Sequence, residues 1–189
     1  MKFYKKSNSF RESYIDTLGK LYDYSTIRYA KNRISKVIDT DKEYTYAGFK
    51  AQCDSLSKQL TQFGIGASDK VAILSQNMPE WTVAFFATVP FGRIAIPILP
   101  ESSANEVTNI LNHSESKVLF VSKKLLPNVS RECIDKLTLV IDIETFEFIK
   151  QDNDKFTCDG KVAMPMPDDI ATIIYTSGTT GNAKGVVLS

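Results

Sequence analysis

Ten residues near the carboxyl terminus, Thr176 to Gly185, hold four hydroxyls, three glycines and one lysine. Glycine lets a backbone come close to a ligand and turn its N–H groups toward it. Hydroxyls add donors, and a lysine adds a compact positive charge. Together these groups suit a polyanion, and a nucleoside triphosphate is the natural candidate. The β-branched runs on either side, Ile173-Ile174 and Val186-Val187, predict a strand before and a strand after.

Two other readings compete. Gly/Ser/Thr-rich stretches between strands are commonly plain turns. This one is longer than a two-strand turn needs, and a tight turn has no structural use for Lys184. The Walker A loop requires G-x-x-x-x-G-K followed by Ser or Thr and then a helix. Counted from Gly178, Ala183 stands where the second glycine belongs and Gly185 where the magnesium-binding hydroxyl belongs. A β-branched run follows, so the helix N-terminus that a Walker site uses is not expected.

The segment Tyr175 to Gly185, YTSGTTGNAKG, resembles the signature loop of the adenylate-forming (AMP-binding) enzymes, which include acyl-CoA synthetases, luciferases and peptide-synthetase adenylation domains. The one departure is Ala183, where that family usually has proline. A missing proline gives up about 0.4–1 kcal/mol of loop preorganisation. Further segments follow the family order: Tyr44-Thr45-Tyr46, Asp69 to Ser75, Asn77-Met78-Pro79-Glu80-Trp81, Ala95 to Ile98, and Ile110 to Ser114. The lead-in Asp168 to Tyr175 is most similar to long-chain fatty acyl-CoA synthetases.

The resemblance implies a two-step ligase. A carboxylate, here a fatty acid, attacks the α-phosphorus of ATP to give an acyl-adenylate and pyrophosphate. Coenzyme A then takes the acyl group as a thioester. It further implies that Ser177, Gly178, Thr179, Thr180 and Gly181 hold the β- and γ-phosphates and that Lys184 supplies the catalytic positive charge. Thr176 would touch a bridging magnesium ion. A lone hydroxyl is a poor magnesium site, so a carboxylate must come from elsewhere. Family members are much longer, and their remaining motifs lie beyond the signature loop. The chain therefore reads as the N-terminal part of such an enzyme, inactive alone, with the remainder of its own chain as a required partner. A stand-alone phosphate-binding module and an inactive remnant stay open.

Composition fits an ordinary folded domain: 189 residues, 43% hydrophobic, suffice to bury a core. A net charge of +1 argues against a nucleic-acid-binding face and makes any anion binding local. Cys53, Cys133 and Cys158 lack metal-ligand spacing, and an odd number suits a reduced, cytoplasmic compartment. Cys53 is expected to be a packing residue. Val83 to Leu99 is interrupted by Pro90, Gly92, Arg93 and Pro97, so it reads as a buried helix and strand, not a membrane span. Peripheral contact with a membrane stays open.

The elements that would position the loop follow from periodicity. A helix is expected over Phe10–Tyr24 with Tyr14, Leu18 and Leu21 on one side, then a hairpin between Val37-Ile38 and Glu43-Tyr44. Thr45 reads as an N-cap, without a capping box because Gly48 stands three residues on. Phe49, Cys53, Leu56, Leu60 and Phe63 form one apolar helical face, stopped by Gly64 and Gly66. Val71–Leu74 reads as a strand buried on both faces. A helix from Asn77 or Pro79 through Phe86 should end before Pro90. Ile94–Leu99 reads as a strand that Pro97 would push to an edge, a bulge or an early end. Ser103 or Asn105 should cap a helix through Leu111, followed by strand Val118–Val121, a helix near Leu125–Ile134 and strand Leu137–Ile143. Residues 144–167 read as irregular. His113 is expected to cap its own helix end, and Trp81 to pack. The alternation predicts an α/β fold, a mostly parallel sheet with helices on both faces, the loop leaving a strand's carboxyl end. Residues 1–43 are taken as a helical and hairpin segment, and 44–189 as the α/β subdomain.

Overall fold

The computed structural model describes residues 15–38, 43–156, 162–176 and 184–189. Its centre is a seven-stranded sheet in the order β7-β6-β5-β3-β4-β8-β9. The inner strands are β3 (Lys70–Leu74), β4 (Ile94–Ile98), β5 (Val118–Val121), β6 (Leu139–Asp142) and β8 (Thr172–Thr176), all parallel. The edges, β7 (Phe148–Gln151) and β9 (Lys184–Leu188), run antiparallel to their neighbours. The expected mostly parallel sheet is present.

Strand β3 reads as a continuous apolar run because both its faces are covered. Val71 and Ile73 face one cluster, with Phe120 and Ile141 of β5 and β6. That cluster is closed by α1 (Leu18–Arg28), α2 (Tyr46–Gln62) and α3 (Pro79–Phe86) through Tyr22, Leu56, Leu60 and Val83. Ala72 and Leu74 face the other, closed by α4 (Ala104–Ser114) and α5 (Arg131–Lys136) through Val107, Ile110 and Cys133. Side chains on a strand alternate between faces, so a single five-residue strand serves both cores.

The predicted face of α2 is buried in full: Phe49, Cys53, Leu56, Leu60 and Phe63. The Thr45 hydroxyl accepts from Gly48 N at 3.2 Å, and Gly64 takes a φ of 71° just past the helix end. Ser103 caps α4 and forms a full capping box with Glu106. Cys53 is buried, and Trp81 stacks on Phe85 at 5.4 Å. Among the described residues no helix is long and apolar enough to cross a membrane.

Several expectations are corrected. Within the described residues the first helix spans Leu18–Arg28, past the expected end at Tyr24, and buries Tyr22, while Leu21 is exposed; Phe10 to Tyr14 of the expected helix lie outside the described residues. Tyr22 wins that place because its ring meets Phe49, Phe86 and Phe91 and its hydroxyl bonds Asp54 at 2.8 Å. The hairpin pairs β1 (Arg33–Lys36) with β2 (Glu43–Thr45), so its first strand lies earlier than Val37-Ile38. Residues 125–134 split into a 3₁₀ turn, Leu126–Asn128, and the short α5. Residues 144–167 are not all irregular: Phe148–Gln151 forms β7, whose four residues alternate in burial.

Pro97 lies in β4, between β3 and β8, and not at an edge. The Ala95 N–H is directed at β8, where it donates to Ala171 O at 3.0 Å. Backbone donors alternate sides along a strand, so the donor missing at Pro97 also falls on the β8 side. The registered β4–β8 pairing is Ala95 with Thr172. The ladder stops there, and Pro97 has no N–H to carry it further.

Candidate functional site

Strands β8 and β9 are joined by residues 177–183 and pair antiparallel from Thr172↔Leu188 to Thr176↔Lys184. The plain-hairpin reading is thus correct for the flanks of the loop. Thr176 and Lys184 are opposite each other at its mouth, on the carboxyl-end rim where parallel sheets present ligand sites. Opposite residues share a face, with Cβ atoms roughly 4.5–5.5 Å apart. A threonine and a lysine therefore leave the sheet from neighbouring positions on one face, both exposed, where the chain enters and leaves the loop. Ser177, Gly178, Thr179, Thr180 and Gly181 lie outside the described residues, as does Cys158.

Tyr175 projects to the other face and is 8% exposed, packed with the α4 cluster. Its hydroxyl lies 2.8 Å from His113 Nδ1, and the two rings meet edge to face, 5.6 Å apart. Burial raises the phenol's pKa. The expectation that His113 caps its own helix end is corrected: its Nδ1 meets the Tyr175 hydroxyl, which ties α4 to the strand that leads into the loop. The cross-strand partner of Tyr175 is Gly185. A Cβ there would meet Ile173 Cγ2 at 2.7 Å and Tyr175 Cζ at 3.4 Å. Gly185 is therefore required by side-chain packing, quite apart from any ligand.

The same rim carries polar groups that periodicity did not flag. Ser122 Oγ, just past β5, donates to Gln76 Oε1 at 2.9 Å. The buried Asp142, ending β6, accepts from Glu144 N at 2.9 Å and pairs with Lys123 Nζ at 3.2 Å. That pairing raises the Lys123 pKa, its hydrogen bond to Asp142 being the main cause. These groups satisfy one another. Among the described residues no three His, Cys, Asp or Glu side chains gather as a metal site. The Thr176 hydroxyl alone does not make one.

A mostly parallel sheet whose carboxyl-end rim carries a threonine and a lysine on either side of a hydroxyl- and glycine-rich sequence defines a class of α/β protein with polar groups where such sheets present ligand sites. The model of the AMP-binding enzyme family matches residues 27–189, and the chain belongs to that family. The long-chain-fatty-acid–CoA ligase FadD13 of Mycobacterium tuberculosis is 34% identical over 78% of this chain and 30% of its own length. Fatty acyl-CoA synthetase A of Dictyostelium discoideum is 28% identical over 78% of this chain and 25% of its own length. The inhibitor-bound N-terminal domain of FACL13 from Mycobacterium tuberculosis superimposes with a TM-score of 0.75 at 27% identity, covering 91% of this chain and 44% of that one. The chain thus spans between a quarter and a third of the length of the two curated relatives. The fold is that of the N-terminal subdomain of adenylate-forming enzymes.

Proposed function

We propose that the chain is the N-terminal part of an ATP-dependent, AMP-forming acyl-CoA ligase, and that its acid is a long-chain fatty acid. The observation that carries this reading is the Thr176–Lys184 pair across the mouth of the YTSGTTGNAKG hairpin. In such a ligase a carboxylate oxygen bonds to the α-phosphorus of ATP and the bond to pyrophosphate breaks. Negative charge grows on the leaving pyrophosphate as that bond lengthens, and fixed donors aimed at it lower the barrier. Lys184 answers that charge, with Ser177, Thr179, Thr180 and the amides from Gly178 to Gly181 around the phosphates. The thiol of coenzyme A then displaces AMP from the acyl-adenylate. Magnesium would meet the Thr176 hydroxyl together with a carboxylate from outside these residues. The fatty-acid assignment is supported by the names of both curated relatives, and the long-chain part by that of the Mycobacterium tuberculosis relative and by the Asp168–Tyr175 lead-in. Buried, unpaired Cys53 and Cys133 support a reducing, cytoplasmic setting. The division into 1–43 and 44–189 belongs to the same proposal.

The 189-residue chain is expected to show no ATP–pyrophosphate exchange. A longer polypeptide carrying this sequence should exchange, and should yield fatty acyl-adenylates by mass spectrometry when offered a panel of carboxylic acids. Lys184→Ala in that polypeptide should slow exchange by about 10²-fold, the loss typical when one preorganised donor to a developing charge is removed. Unchanged exchange would overturn the role of Lys184. Triphosphate binding with no adenylate from any acid would instead establish a binding module.

A further inference from the structure

The hairpin that carries the candidate site is registered to the rest of the sheet only at its start. Its backbone pairing to β4 is the single registered pair Ala95↔Thr172. Ala95 N donates to Ala171 O at 3.0 Å and Thr172 Oγ1 to Ala95 O at 2.8 Å. All of these lie at the start of β8, four residues from Thr176. The partner β9 is exposed along its whole length. Left to itself, the mouth of the loop would be free to fray.

One anchor stands at the mouth. Tyr175 is buried while its neighbours Thr176, Lys184 and Gly185 are exposed. Its hydroxyl reaches His113 in the last turn of α4. That helix is a firm platform: a capping box fixes its start, Val107, Ile110 and Leu111 bury its face, and Glu115 ends it in a left-handed turn at φ 52°. On the far side, the Tyr175 ring comes within 3.4 Å of where a Cβ on Gly185 would stand, beside Ile173 Cγ2 at 2.7 Å. The phenol thus spans from α4 to the backbone of β9, and through it α4 reaches both strands where the loop begins and ends.

We propose that His113 is a positioning residue which, through Tyr175, holds the hairpin mouth in the register that keeps Thr176 and Lys184 side by side. The inference deepens the phosphate-loop reading and rests on it for its functional half. His113 and Tyr175 lie on the face opposite the Thr176 and Lys184 side chains, so neither is placed against a ligand there.

The test uses the 189-residue chain with Tyr175→Phe, which keeps the ring and deletes the hydroxyl, and His113→Leu, which deletes the ring nitrogens. His113→Asn is the rescue, because its amide stands where Nδ1 stood. Amide exchange is read residue by residue by NMR, and ATP affinity by shift titration. Tyr175→Phe and His113→Leu should each speed exchange at the Thr176 and Lys184 amides and weaken ATP binding about three- to tenfold, the cost of one ordinary hydrogen bond. The double variant should be no worse than either single one, and His113→Asn should recover most of the loss. Exchange at those two amides that stays unchanged, or that rises evenly across the whole sheet, would overturn the proposal. Should the unmodified chain show no ATP-induced shifts, or Lys184→Ala leave those shifts unchanged, the phosphate-loop reading fails, while the exchange pattern still decides whether His113 sets the hairpin mouth.

Discussion

Arg93 is 1% exposed and, among the described residues, bonds no carboxylate, though the Asp69 charge lies near enough to favour its charged form. Its guanidinium donates to Ile65 O, Ser57 O, Ser57 Oγ, Ala87 O and Thr61 Oγ1, all neutral acceptors, at 2.6–3.3 Å. Burial pushes its pKa down to about 10, so it remains charged at pH 7. Its partners lie on α2, on the turn after it and at the end of α3, so one side chain ties that layer together. Arg93→Ala should cost about 3 kcal/mol or more, read by urea denaturation, because it opens a cavity and leaves buried carbonyls without donors. Gly185→Ala is expected to strain the hairpin at the edge of the α4 core. The 2.7 Å approach to Ile173 means that Ile173 or the strand must shift, with Tyr175 beside it. The expected result is weakened ATP binding together with a lowered unfolding midpoint, measured on the same sample. Nothing in the sequence announced Arg93 as buried, because a lone arginine between Gly92 and Ile94 looks like a loop charge. The five neutral acceptors come from elements far apart in the chain, and no local pattern encodes them.

Elements whose hydrophobic period is strong were legible: α2 by its spacing, β3 and β5 by apolar runs, α4 by its cap. The Ser103–Glu106 capping box accounts for the start of α4, and Ser103→Ala should lower stability by about 1 kcal/mol in thermal unfolding. Strand β7 was missed because an edge strand buries one face only, and Phe148-Ile149-Lys150-Gln151 shows two alternations within an acidic, polar stretch. Pro97 misled for a geometric reason: its position in the ladder relative to β8 depends on pairing that sequence does not give. In the site, Thr176 and Lys184 were found by type and are brought together by strand register. The His113–Tyr175 contact joins residues 62 positions apart, and no periodicity links them.

Across the whole molecule, two buried acids shape the response to alkali. Burial first, then nearby Asp54, pushes the Cys53 thiol up to about 12 from an ordinary 9.0. Burial and the hydrogen bond to Asp54 also raise the Tyr22 phenol. Both groups hold their protons longer when folded than when unfolded. Their contribution is therefore complete below about pH 9 and declines as pH climbs toward 12, since the unfolded chain binds fewer protons in that window. Denaturant midpoints measured from pH 8 to 11 should fall, and Cys53→Ala should flatten the early part of that fall. A thiol reagent at pH 7.5 should leave Cys53 and Cys133 unmodified until the chain unfolds. Along its open flank β9 exposes Val186, Val187 and Leu188, an unpaired strand edge that templates association. Sedimentation of the isolated chain should show mass rising with concentration, and Val187→Lys should suppress it.

The single registered pair between β4 and β8 has a mechanical corollary. A molecule pulled from its carboxyl end would surrender its outermost ribbon first, at modest load, while the strands from β4 to β6 stayed knitted between their helical layers. A force trace should therefore show a small early rip before the main rupture, and shortening the His113 side chain should bring that first event to still lower tension.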